Sequence, residues 1–140
     1  MSNETEKLTI NLGVVELAQI DVCVEQGIYS NRSDFVRTAV RKALESHSKT
    51  IKRQLTPLTP GKKGWEKVIG IWKIEKSILE EWAVRNEKVS ISIIGMLIIS
   101  EDITVELFEK AVGKVVLRGK IVASDEIKAA IQKMNQAVNP

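Results

Sequence analysis

At 140 residues the chain has room for one domain or two small ones, and 44% hydrophobic with 28% charged residues marks a globular chain, not a disordered one. No apolar run approaches the roughly 20 residues that span a bilayer. The acidic, polar start (Asn3, Glu4, Glu6) is unlike a secretory signal, and the single cysteine, Cys23, excludes an intramolecular disulfide and fits a reducing cytoplasm. The formal charge of +3 lies in the first half: ten Lys/Arg against seven Asp/Glu through Gly64, eleven against eleven from Trp65 onward.

The first predicted element is a strand over residues 7–12. Lys7, Thr9 and Asn11 alternate with Leu8, Ile10 and Leu12, so period-two geometry gives one polar and one apolar face. A lone strand leaves its edges and its apolar face uncovered. Nothing nearby in the sequence can form a hairpin with it, so the same strand of a second chain is the expected partner. A helix over residues 15–26 follows, with Leu17, Ala18, Ile20 and Val24 on the 3.6-residue period and Gly27 as a left-handed stop. Cys23 reads as a small packed thiol. A second helix opens at Ser30-Asn31-Arg32-Ser33-Asp34, where Ser30 or Asn31 can cap and Asp34 completes a capping-box spacing. Phe35, Val36, Ala39, Val40, Ala43 and Leu44 form its apolar stripe, and Arg37, Arg41 and Lys42 fall largely off it.

The order strand, helix, helix, with Leu8-Thr9-Ile10-Asn11-Leu12, the helix ending at Gly27, and Tyr29-Ser30-Asn31-Arg32-Ser33-Asp34-Phe35-Val36-Arg37, resembles the ribbon-helix-helix DNA-binding proteins, their CopG-like branch in particular. The resemblance covers the first third of the chain. It implies a homodimer whose two strands form an antiparallel ribbon in the DNA major groove. The base-contacting residues would be Lys7, Thr9 and Asn11 of each copy: Lys can donate to guanine, Asn can pair with adenine, and Thr can serve either. Ser30, Asn31, Arg32 and Ser33 would hold phosphate, since a helix start offers free N–H groups and positive potential. The same residues also describe a solvated strand face and a well-capped surface helix.

Residues 48–64 read as a basic, flexible linker. Lys49, Lys52, Arg53, Lys62 and Lys63 occur with no acid, and Pro57, Pro60, Gly61 and Gly64 break regularity. The first part of it can also be read as an extension of the second helix. Residues 65–140 hide a repeat. Blocks centred on Gly70, Gly95 and Gly119, spaced 25 and 24 apart, each read as a β segment, a polar turn and a short amphipathic helix, with Ser100 and Ser124 as N-caps. The expected fold class is therefore α+β: a ribbon-helix-helix dimer module over residues 1–47, then a small solenoid-like β–α domain that oligomerises or binds a partner or effector. A stack of three units needs its ends covered, and dimerisation would do so.

No catalytic constellation, phosphate loop or metal-spaced cluster is present, so neither an enzyme nor a cofactor is expected. Nickel-responsive proteins of the resembled family use His/Cys ligands in a C-terminal domain; here nothing after Gly64 is His or Cys, and His47 stands alone. Two functions remain. One is a cytoplasmic, sequence-specific regulator, a repressor, whose partners are double-stranded DNA, a second copy of itself (or a higher oligomer) and a protein docked on the C-terminal domain. The other is an assembly module or antitoxin-type binder in which the N-terminal region mainly dimerises.

Overall fold

The computed structural model describes residues 5–55 and 64–136, and its chain divides into two compact units, Asn3–Arg53 and Gln54–Pro140. The first unit begins with residues 5–13, which make neither helix nor strand within one chain. Helix α1, Val14–Glu25, starts where Glu16 Oε2 accepts the Gly13 N–H at 3.2 Å. It ends as the sequence predicts: Gly27 takes φ 76°, Ile28 N–H donates to Cys23 O and Gly27 N–H to Val24 O, closing a Schellman turn. Helix α2, Arg32–Ser46, is capped by Asn31, and the short α3, Ser48–Arg53, follows His47. Residues 48–53 are therefore helical where a flexible linker was expected. The cause is local: the Ile51 N–H finds the His47 carbonyl, so the backbone turns helically again at once. Pro57, Pro60 and Gly61 lie outside the described residues.

The second unit alternates strand and helix: β1 Trp65–Ile74, α4 Lys76–Val84, β2 Val89–Ile99, α5 Val105–Ala111, β3 Val112–Val122, α6 Asp125–Gln136. Its three strands form one parallel sheet in the order β1-β2-β3. The expected α+β class is corrected to mixed α/β. Because every strand is followed by a helix, successive strands return parallel, as a crossover requires. The register sets Val68, Ile93 and Leu117 side by side and likewise Gly70, Gly95 and Gly119, the alignment that the repeat predicts. Helix α4 packs on α5 and α5 on α6. Between helices and sheet lies a core that includes Ile74, Leu79, Ile91, Leu97, Phe108 and Ile127, all buried. Side chains at 91, 93, 97 and 99 share a face of β2 and supply its centre.

One predicted cap fails. Ser124 caps α6 by accepting the Ile127 N–H, but Ser100 does not start α5. Its own N–H bonds Ile74 O and its carbonyl accepts from Ile103, which makes a turn of Glu101 and Asp102; Thr104 caps the helix instead, through the Leu107 N–H.

Candidate nucleic-acid interface

Unit 1 is almost coreless as a single chain. Ile20 is its one buried hydrophobic among the described residues, while Leu8 is 84%, Ile10 52% and Val40 51% exposed. The apolar face that residues 7–12 present was predicted, and Ile10 and Leu12 line a groove with Ile20, Phe35, Val36 and Val40. Lys7, Thr9 and Asn11 are exposed and have no side-chain partner among the described residues.

The start of α2 gathers the other four predicted residues. Asn31 Oδ1 accepts the Asp34 N–H at 2.8 Å, and Asp34 Oδ2 accepts the Ser30 N–H at 3.0 Å, a capping box reached one residue further back than the usual one. Arg32 and Ser33 supply first-turn N–H groups that a helix cannot satisfy internally. The Arg32 side chain is already engaged: Nε and Nη2 grip the two oxygens of Asp21 on α1 at 2.7 and 2.8 Å. That hydrogen bond and the charge beside it hold the Asp21 carboxyl below its ordinary range and raise Arg32 above its own. Arg32 thus ties α1 to α2, a role its sequence position did not announce, because the pairing spans eleven residues. Tyr29 and Phe35 stack edge-on at 4.9 Å under the same turn.

Arg37 and Arg41 were given no role by the sequence pattern, yet with Arg32 and Ser33 they line a groove that Glu6, Leu8 and Ile10 also border. Their spacing of four from each other, and of four from Ser33 to Arg37, was the available signal, since i, i+4 residues share a helix face. The start of α2 and this basic side of the helix therefore lie beside the strand-like segment.

The model of the ribbon-helix-helix transcriptional regulator family matches residues 3–128. The chain belongs to that family. The match reaches far beyond the first third of the chain and takes in most of the β–α repeats. No curated protein and no solved structure matches the chain. Membership makes it a DNA-binding transcriptional regulator by family. Among the described residues no group of acidic, His and Cys side chains could hold a metal ion, and no helix is long and apolar enough to cross a membrane.

Proposed function

We propose that this regulator acts as a homodimeric repressor that reads the major groove through an intersubunit antiparallel ribbon. The observation that carries this is the coreless first unit. A helix pair with one buried apolar residue and Leu8, Ile10 and Leu12 uncovered gains its core only from another surface, and a second copy related by a two-fold rotation offers a self-complementary one. Pairing residues 7–12 of two copies satisfies one edge of each strand and turns both apolar faces onto the two helix pairs. The opposite face then offers six polar side chains, Lys7, Thr9 and Asn11 from each copy, on a two-stranded ribbon that a major groove admits. Ser30, Asn31 and Ser33, with the N–H groups of Arg32 and Ser33, hold flanking phosphates. In this arrangement the Arg32 side chain serves by keeping α1 and α2 in place, and Arg37 and Arg41 add charge along the backbone.

The β–α unit, read as a short solenoid-like stack, supplies a further oligomerising or partner-binding surface. The test is binding of the purified protein to DNA from just upstream of its own gene, titrated against salt and random competitor. Saturable binding that survives competitor and weakens steeply with salt supports the repressor. A confirmed dimer with no affinity for any DNA at low salt refutes it and leaves the assembly module.

A further inference from the structure

The two edges of the second unit's sheet differ in kind. On β3, Lys114, Arg118 and Lys120 share the face away from the helices, the way sheets discourage further pairing at an edge. On β1 the middle of the edge is apolar. Ile69 and Ile71 are half exposed, and nothing lies within 4 Å of the place where a Gly70 side chain would begin. Beside that hollow, Trp72 is half-buried against Trp82 of α4.

The hydrogen bonding shows which groups are open. At the two ends of β1 the carbonyls of Gly64 and Ile74 accept from β2 and the residue after it, through Ser90 and Ser100. Backbone groups alternate sides along a strand, so those of Lys67, Ile69, Ile71 and Lys73 face outward. Ten residues of strand with an apolar, unprotected edge form a template for another strand.

We infer that β1 pairs antiparallel with β1 of a second copy, about a two-fold axis through Ile71, joining two three-stranded sheets into one of six strands. The occupant follows from charge. With the axis at Ile71, Lys67 lies opposite the partner's Glu75, the extended residue that follows β1, and the pair is made twice. An axis at Gly70 sets Lys67 against the partner's Lys73, and among the described residues axes at Ile69 or Trp72 bring no opposite charges together. The Ile71 axis also places the partner's Trp72 across from Gly70, filling the hollow, as aromatic side chains do opposite strand glycines. Ile71 meets its own copy in a hydrogen-bonded pair, in phase with the outward groups of β1. A head-to-tail stack of β3 on β1 would instead bring Arg118 and Lys120 up to the Lys67 and Lys73 side, where like charges repel.

The test uses the full chain with Cys23→Ser, which removes its one native cysteine, and a new cysteine from Ile71→Cys. A hydrogen-bonded antiparallel pair holds its Cα atoms about 5.5 Å apart, inside the roughly 4.4–6.8 Å a disulfide spans. Under glutathione redox buffer at micromolar protein, a covalent dimer should form at least about tenfold faster than from Ile69→Cys or Arg118→Cys in the same background. Adding Lys67→Glu should slow the Ile71→Cys cross-link, and adding Glu75→Lys to that variant should restore it. Cross-linking from Ile71→Cys no faster than from the two other positions, or a Lys67→Glu effect that Glu75→Lys leaves unrepaired, overturns the inference. The readout needs no DNA, so it stands or falls separately from the ribbon.

Discussion

Gly95→Ala tests the register on which the second unit is built. A Cβ on Gly95 would come within 3.0 Å of both the oxygen and the carbon of Gly70, the carbon at 2.9 Å, and the backbone there has φ 138°. Two costs add. Holding a side-chain-bearing residue at that positive φ costs about 1–3 kcal/mol, and forcing an atom into backbone costs about 1–3 kcal/mol more, because the parted strands lose hydrogen bonds and packing. Together the loss is about 4 kcal/mol, a large part of the roughly 5–15 kcal/mol of a typical domain. Gly70→Ala carries the first cost alone, since φ is 135° but among the described residues nothing lies within 4 Å of the added carbon. The two variants therefore differ by about 2 kcal/mol, which at a urea slope of about 1–3 kcal/mol/M separates their midpoints by about 1 M. Tryptophan fluorescence reads this unit selectively, because Trp65, Trp72 and Trp82 all belong to it. Equal midpoints for Gly95→Ala and Gly70→Ala would refute the close approach of strand to strand at the glycines. Gly119→Ala, which meets the Gly95 carbonyl in the same way, should behave like Gly95→Ala.

Asn31→Ala removes the side-chain cap of α2 and should cost about 1 kcal/mol, seen as a lower melting temperature of the first unit by far-ultraviolet circular dichroism. Asn11→Ala should weaken binding to a specific site by about 1–3 kcal/mol and relax its base preference, while sedimentation shows the dimer unchanged; undiminished specificity would remove Asn11 from the interface. Replacing Ile10 by Asp should shift the mass of the protein toward monomer in proportion to dilution, and an unaltered association constant would show that the apolar strand face is not where two copies meet. The Asp21–Arg32 bridge makes an acid-side prediction. Because the folded carboxyl titrates below its usual value, near 3.9 for a free Asp, its stabilisation is complete above that pH and fades as the pH falls through the lower folded value. Asp21→Asn should flatten that acid limb by lowering the melting temperature slightly at neutral pH and leaving it unchanged in acid, a small effect because the pair is exposed.

What the chain disclosed in advance depended on whether a signal was local. The Gly27 stop and the Asn31 cap are settled within a few residues by φ preference and side-chain reach and both formed as expected, while the Asp34 carboxylate closes on the Ser30 N–H and not on that of Asn31. The strand register was legible too, because each glycine excludes a side chain at the same height of the stack and so marks it. Ser100 misled because a serine followed by two acids has the same pattern in a turn as at a helix start. The choice was made by the Ile74 carbonyl, 26 residues away, which takes the Ser100 N–H. The repeat gave the β–α order of the second unit, while the α+β label for the whole chain missed that its sheet is parallel, because periodicity identifies strands and helices without stating their direction. The Asp21–Arg32 bridge depends on how two helices cross, which no spacing within either helix encodes, whereas the shared face of Ser33, Arg37 and Arg41 was available in their spacing of four.

The two units answer the same physical demand in different ways. The β–α unit encloses a cluster of buried residues, from Ile74 to Ala130, within one chain, so its stability belongs to that chain. If the first unit leaves its apolar stripe to another copy, as proposed, its stability is tied by mass action to protein concentration and to whatever binds the paired form. DNA that engages only the dimer should raise the melting temperature of the first unit, roughly with the logarithm of DNA concentration, and leave the tryptophan-reported transition of the second in place. If the β1 edges pair as inferred, the second unit also raises the local concentration of first units, and charge reversal at Lys67 would then weaken DNA binding at dilution without touching any residue near DNA.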